Sequence, residues 1–159
     1  MKGIPDKLSI EQAAYRIQNY IHHTPVLTSE NLNALSGAEI FFKCENFQKA
    51  GAFKSRGASN AVFSLSEAEI KKGVCTHSSG NHAAALSRAA KLRSSLAHIV
   101  MPSNSSKVKI AAVKNYGGII TFCEPTLASR EATLANVQKE TGAVEIHPYN
   151  DNRIIAGQA

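Results

Sequence analysis

Apolar and polar positions alternate in blocks along residues 74–147, and the blocks are of two lengths. The short apolar blocks predict buried strands at residues 74–77, 96–101, 119–122 and 144–147. The longer blocks between them predict helices at residues 81–92, 106–116 and 126–141. Strands that alternate with helices in this way are typical of βαβ units, which form a parallel sheet with helices on both faces. The pattern therefore predicts an α/β fold.

The first 73 residues are patterned less regularly. Ser9 and Gln12 have the spacing of a capping box, and they predict a helix over residues 10–20. Pro25 follows this helix, and the residue before a proline is disfavoured in helical conformation. Beyond it the sequence predicts an extended piece at 26–27, a short helix from Ser29 to a left-handed cap at Gly37, a strand at 39–43 and a helix within 51–65.

The composition sets limits on the class of function. The chain has 159 residues, of which 43% are hydrophobic and 19% charged, so we expect a globular protein. The net charge of +6 is spread along the chain and only 6% of the residues are aromatic, so nucleic-acid binding is not expected. No apolar run has the length of a membrane span or a signal peptide, which predicts a cytoplasmic protein without a membrane partner. The three cysteines have neither zinc-site nor disulfide-framework spacing.

Two short segments carry candidate chemistry. Residues 78–82, SSGNH, follow a predicted strand and open a predicted helix. They are either an ordinary helix cap or a cradle for an anion, because free N–H groups at a helix start favour a carboxylate or phosphate. Lys54 falls at another predicted helix start, where a cation opposes the helix dipole. A lysine with a depressed pKa can bond to a carbonyl carbon through its amine, whereas an ordinary solvated lysine is the alternative.

Three segments together resemble one family of enzymes. They are FFKCENFQK at 41–49, GAFKSRGA at 51–58 and THSSGNH at 76–82. With them the chain resembles the serine racemase and threonine dehydratase family, and its plant serine racemases in particular. The likeness extends from HTPVLT at 23–28 to HPYND at 147–151 and IAGQ at 155–158. It implies the fold type II (tryptophan synthase β-like) architecture and pyridoxal 5′-phosphate as the cofactor.

The resemblance implies roles for individual residues. Lys54 matches the lysine that bonds covalently to the cofactor. Phe53 matches a residue that lines the cofactor ring, and Asn81 matches the residue that binds its 3′-oxygen. The positions that match the cradle for the substrate carboxylate are Ser78, Ser79, Asn81 and His82. The resemblance also implies ATP and Mg²⁺ as ligands. Nucleotide-contacting positions are matched by Ser29, Asn31, Lys49 and Tyr116, and no metal ligand is assigned.

Ser79 matches a position that is serine in the racemases and usually alanine in threonine dehydratases. Racemisation needs an acid/base group on each face of the α-carbon, and Lys54 and Ser79 would be that pair. Loss of the β-hydroxyl group instead gives pyruvate and ammonia. We therefore expect a serine racemase that is also a serine dehydratase, acting on serine or threonine and homodimeric at full length.

The resemblance also divides the chain. Residues 1–73 match the N-terminal part of a large cofactor-binding domain, 74–148 a small α/β domain, and 149–159 the start of a return into the large domain. The last six residues complete no predicted helix or strand, and family members continue for a comparable length beyond them. We therefore expect a C-terminally truncated chain that is inactive alone and leaves apolar large-domain residues exposed.

Three alternatives stay open. The first is a threonine dehydratase-like ammonia-lyase. The second is a non-catalytic truncated isoform that acts as an interaction or regulatory fragment. The third is an anion- or nucleotide-binding module that uses the helix start at Ser78 without any cofactor bond.

Overall fold

A computed structural model describes residues 4–159. The helices are α1 (Lys7–Ile17), α2 (Glu30–Ser36), α3 (Lys54–Phe63), α4 (Glu67–Ile70), α5 (Asn81–Leu92), α6 (Lys107–Asn115), α7 (Leu127–Thr141) and α8 (Asn152–Gln158). The strands are β1 (Val26–Leu27), β2 (Phe42–Lys43), β3 (Val74–His77), β4 (Ala97–Pro102), β5 (Ile119–Cys123) and β6 (Val144–Glu145). Two 3₁₀ turns, Glu45–Phe47 and Lys49–Gly51, connect β2 to α3.

Four of the strands form the main sheet, in the order β5-β4-β3-β6. All three pairings in it are parallel, as between Cys75 and His98 or Cys75 and Glu145. The α/β prediction with a parallel sheet is therefore confirmed. The chain steps from β3 through β4 to β5 and then crosses back to the far side of β3. In open parallel sheets, ligands bind beyond the carboxyl ends of the strands where the strand order reverses, which here is between β3 and β6.

Helices cover both faces of this sheet. Along β3, Val74 belongs to the core shared with α3, α5 and α6, whereas the next residue, Cys75, packs with Leu134 and Val137 of α7. This alternation follows from the two-residue period of a strand. Helix α3 packs closely against both α5 and α8, so residues of the first 73 positions share one core with residues of the sheet.

The small antiparallel sheet of β1 and β2 is less covered. All four of its residues are exposed, and α2 contains no buried residue. Large apolar side chains remain exposed in this region at Val26, Leu27, Leu32, Leu35, Phe41, Phe42 and Phe47.

The structure corrects the predicted start of the first helix. Asp6, and not Ser9, is the N-cap residue of α1, and Ser9 is the third residue of its first turn. The Asp6 carboxylate accepts the N–H of Ser9 at 2.9 Å, and the Ser9 hydroxyl accepts the N–H of Asp6 at 3.1 Å. The capping box is thus formed three residues earlier than the sequence pattern suggested, because aspartate caps a helix as well as serine does.

The predictions near the C-terminus were also wrong in two places. Strand β6 ends at Glu145 and not at residue 147, since Pro148 has no N–H to continue the ladder. Residues 152–158 form the helix α8, capped by Asp151, where no complete element was predicted. Tertiary contact explains the helix: Asn60 of α3 donates its amide N–H to the carbonyl oxygen of Arg153 at 2.7 Å.

Candidate functional site

A cavity of about 440 Å³ lies beyond the carboxyl ends of β3 and β6, at the point where the strand order reverses. Its volume is in the range of small-molecule sites. It is lined by Phe53, Lys54, His77, Ser78, Ser79, Gly80, Asn81, His82, Lys109, Leu127, Arg130, Pro148 and Tyr149. Residues from α3, the β3–α5 loop, α5, α6, α7 and the segment after β6 therefore meet at one place.

Lys54 is the first residue of α3, as the sequence predicted for a loop-to-helix junction. Its Nζ donates to the carbonyl oxygen of Pro148 at 2.8 Å and lies 4.9 Å from the centre of the Phe53 ring. Partial burial lowers the pKa of Lys54 below that of an ordinary lysine, because burial disfavours the charged form. A larger share of its amine is thus available as a nucleophile near neutral pH than for a solvated lysine.

The N-terminus of α5 forms the second wall of the cavity. Its N-cap residue is Gly80, which supplies no side-chain cap, so the first N–H groups of this helix are left for another acceptor. The N–H of Ser78 is not among these free groups, because it donates to the carbonyl oxygen of Val100 at 3.0 Å. The Ser78 hydroxyl in turn accepts the N–H of Gly80 at 3.4 Å.

His82 lies on the inner side of this wall and is 3% exposed. Its Nε2 lies 3.2 Å from the carbonyl oxygen of Ile146, and its buried Nδ1 has no hydrogen-bond partner within residues 4–159. The pKa of His82 is lowered to about 4, chiefly by burial; the hydrogen bond to the carbonyl of Ile146 opposes this shift and the nearby charge of Lys54 adds to it. The ring is therefore neutral at pH 7, and Nε2 carries the proton that it donates to Ile146.

The cavity is cationic. Lys54, Lys109 and Arg130 line it, and within the described chain no Asp or Glu does so. A Cβ on Gly80 would lie 3.6 Å from Nζ of Lys109, so this ammonium group is close to the N-terminus of α5. The Nε of Arg130 is buried without a partner in the described residues. Three cations around one cavity, together with free N–H groups at a helix start, favour an anionic ligand.

Sequence reasoning missed Lys109 and Arg130. A usable signal existed, because each lies near the start of its helix, where a cation opposes the helix dipole as Lys54 does. Pro148 and Tyr149 were missed as cavity residues as well. Their position depends on how the segment after β6 turns, which the sequence pattern does not indicate.

The predicted site residues separate into two sets. Phe53, Lys54, Ser78, Ser79, Asn81 and His82 all line the cavity. The four predicted nucleotide contacts do not line it: they lie on α2 or its cap, in a 3₁₀ turn and at the end of α6. The hydroxyl of one of them, Ser29, caps α2 by accepting the N–H of Leu32 at 3.5 Å. Among the residues that the structure describes, no group of three or more His, Cys, Asp or Glu side chains could hold a metal ion.

Comparison with known proteins identifies relatives over nearly the whole chain. The model of the family described as pyridoxal-phosphate dependent enzyme matches residues 17–159. A serine racemase of Arabidopsis thaliana is 58% identical over 157 residues, which are 99% of this chain and 47% of that protein. A β-hydroxyaspartate dehydratase of Paracoccus denitrificans is 56% identical, over 98% of this chain and 49% of that protein.

Solved structures agree with the sequence comparison. The structure of maize serine racemase superposes with a TM-score of 0.95 at 52% identity, covering 98% of this chain and 47% of the maize chain. The chain thus spans about half the length of the relatives that it matches. Over residues 4–159, no helix has the length and hydropathy that crossing a membrane requires.

Proposed function

The chain belongs to the family of pyridoxal-phosphate dependent enzymes, and on this premise we propose that it forms the lysine-bearing half of a serine racemase that also dehydrates serine. The observation that carries the proposal is the position of Lys54. Its amine, with a lowered pKa, lies in a cationic cavity of about 440 Å³ together with Ser79 and the uncapped N-terminus of α5.

The residues present fit pyridoxal 5′-phosphate. The cofactor is an anionic aldehyde, so it needs an amine that is not fully charged, an aromatic or apolar contact for its ring, and donors for its oxygens. Lys54 supplies the amine and Phe53 the ring contact. Asn81, at the first position of α5, supplies an amide side chain on the cavity wall for the 3′-oxygen.

The bound cofactor supplies a conjugated ring that takes up the electron pair left when a bond to the substrate α-carbon breaks. The residues of the chain bind and orient the substrate and move its proton. The free N–H groups at the start of α5, with the hydroxyls of Ser78 and Ser79, bind the substrate carboxylate. His82 can contribute only its backbone N–H to that contact, since its imidazole is directed to Ile146.

Lys54 and Ser79 reach the cavity from different elements, α3 and the β3–α5 loop. We propose that the Lys54 amine takes the proton from one face of the α-carbon and that the Ser79 hydroxyl returns one to the other. Departure of the β-hydroxyl group from the same bound substrate gives pyruvate and ammonia. A threonine dehydratase-like lyase would use Lys54 in the same way and would not need the Ser79 hydroxyl.

The 159-residue chain itself allows a direct test. We expect that incubation with pyridoxal 5′-phosphate, reduction with borohydride and peptide mass spectrometry will locate the cofactor on Lys54. The Lys54→Gln variant should lose this adduct, and Lys49→Gln, which removes a neighbouring lysine outside the cavity, should keep it. An adduct spread evenly over surface lysines would contradict the assignment of Lys54.

One observation favours a second candidate substrate. The cavity holds two cations besides Lys54, namely Lys109 and Arg130, and a β-hydroxyaspartate dehydratase is among the relatives. A substrate with a second carboxylate, such as 3-hydroxyaspartate, would pair with them. Ligand-observed NMR on the chain should then show tighter binding of 3-hydroxyaspartate than of serine. The variant Arg130→Gln should remove this difference in binding. Lys107→Gln, which changes an exposed residue of α6, should keep it. Equal binding of the two amino acids would favour serine as the substrate.

ATP, Mg²⁺ and homodimer formation remain proposals from the resemblance alone. The cavity around Lys54 is not lined by Ser29, Asn31, Lys49 or Tyr116, so we assign no step to a nucleotide or a metal. An interaction or regulatory role for the fragment would be supported if it co-purified with a full-length relative and changed its activity.

A further inference from the structure

The five residues that follow β6, 146–150, form a strap across the candidate site. We propose that His82 is a positioning residue for Lys54 and that it acts through this strap. The inference rests on the proposed function in one respect, since it takes Lys54 as the reacting lysine. The contacts that carry it are a chain of hydrogen bonds from Lys54 to the strap and from the strap to His82.

The strap holds the amine of Lys54. The carbonyl oxygen of Pro148, in the middle of the strap, accepts a hydrogen bond from Nζ at 2.8 Å. This residue is 94 positions away in sequence, so nothing local in the chain fixes the distance. Where the strap lies therefore decides where the amine lies and how far it is buried.

His82 anchors the start of the strap. Strand β6 ends at Glu145, and the N–H of Ile146 makes one further bond to Cys75 at 2.9 Å. The carbonyl oxygen of Ile146 turns to Nε2 of His82 at 3.2 Å. This ring is 3% exposed and neutral at pH 7, so the bond is shielded from water and its donor is fixed on Nε2. His82 thus holds the strap two residues before the carbonyl that holds Lys54.

His147 stiffens the strap from within. Its Nδ1 accepts the N–H of Asn150 at 2.8 Å and that of Tyr149 at 3.3 Å, which closes a tight turn around Pro148. The His147 and Tyr149 rings also meet edge to face, with their centres 4.5 Å apart. With the start of the strap held by His82 and this turn closed, the Pro148 carbonyl has little freedom to move away from Lys54.

Loss of the bond between His82 and the strap should raise the pKa of Lys54. The titratable groups that line the same cavity are His77, His82, Lys109, Arg130 and Tyr149. The pKa of Lys54 is lowered by burial, so a strap that swings away exposes the amine and returns its pKa toward the value of an ordinary lysine. The pH at which half of the amine is reactive then rises.

Trace acetylation with acetic anhydride, followed by peptide mass spectrometry, measures this pH for each lysine of the chain without any cofactor. In His82→Phe, which keeps a ring and loses the donor, we expect the midpoint for Lys54 to rise by about half a pH unit or more. His82→Gln, which keeps an N–H donor, should restore it. The matched control His98→Phe, a half-buried histidine of β4, should leave it unchanged. An unchanged midpoint in folded His82→Phe overturns the inference.

Circular dichroism shows whether each variant folds. Should His82→Phe not fold, His147→Phe opens the turn around Pro148 instead, and an unchanged Lys54 midpoint in that folded variant overturns the inference in the same way. Cofactor trapping on the unaltered chain separates the two proposals. An adduct at Lys54 with acetylation independent of His82 keeps the proposed function and overturns the inference. Acetylation that depends on His82 with no adduct at Lys54 supports the strap and removes the cofactor assignment.

Discussion

Burial lowers the pKa of His82 to about 4, from 6.5 in a solvated histidine. The unfolded chain therefore binds the proton more readily than the folded one between these values. Stability from the neutral ring is fully present above pH 6.5 and is lost as the pH falls toward 4. Acidification from pH 7 to pH 4.5 should therefore lower the free energy of unfolding by about 2 to 3 kcal/mol through the titration of His82 alone.

Urea unfolding of the unaltered chain and of His82→Gln at the two pH values tests this expectation. The variant is less stable at pH 7 but should lose less stability on acidification. The lowered pKa values of His77 and His98 act in the same direction and are common to both proteins. Parallel losses in the two proteins would show that His82 is not held neutral by burial.

At the scale of elements, α3 and α8 approach each other through glycines. A Cβ on Gly57 would lie 2.8 Å from the carbonyl oxygen of Ile154 and 2.9 Å from the side chain of Gln158. The variant Gly57→Ala must push α8 away, and we expect it to cost about 1 to 3 kcal/mol of unfolding free energy. Urea unfolding measures this cost. Ala132→Ser, which adds one atom on the exposed side of α7, is the control, and equal stability of both variants would contradict the close packing.

The C-terminal end of α3 is held by Arg93, which follows α5. Nη1 of Arg93 donates to the carbonyl oxygens of Val62 at 3.0 Å and Leu65 at 2.7 Å, and Nη2 pairs with Glu67. Val62 lies in the last turn of α3 and Leu65 just beyond it, and the N–H groups four residues on, of Ser66 and Glu69, bond to side chains instead. The guanidinium group therefore completes the bonding of these two carbonyls. Lysine has a single side-chain nitrogen and cannot bond to the two carbonyls and to Glu67 together, so we expect Arg93→Lys to cost about 1 to 3 kcal/mol of unfolding free energy. Lys91→Ala should cause no measurable change. If thermal unfolding finds the two variants equally stable, the second nitrogen of the guanidinium group does not contribute to stability.

At the scale of the whole molecule, seven large apolar side chains are exposed within residues 26–47, among them Leu35 at 84% and Phe41 at 65%. Contiguous exposed apolar surface favours association. We expect the chain to self-associate in sedimentation velocity experiments and to bind a hydrophobic dye. Leu35→Glu combined with Phe41→Glu should reduce both signals. Leu127→Glu changes an apolar position that is 61% exposed outside this region, and it should leave both signals unchanged. A monomeric unaltered chain would contradict the expectation.

The sequence by itself was sufficient for the α/β class and for most helix and strand positions of residues 74–147. These elements depend on local periodicity, and strand β3 and helix α5 lie where the pattern predicted them. It was also sufficient to select Lys54, Ser79 and Asn81 as a group, through a resemblance that the comparison with known proteins confirmed at the level of the family. The roles of these residues stay predictions.

Tertiary structure alone decided which distant residues meet. Helix α8 exists against α3 although its own seven residues carry little helical signal, because short helices depend on packing for stability. Lys109, Arg130 and Pro148 reach the cavity only because the strand order β5-β4-β3-β6 brings the ends of β3 and β6 together. The bond from Lys54 to Pro148 spans 94 residues. Periodicity reports which face of an element is buried, and it contains no information about which residues of other elements lie against that face.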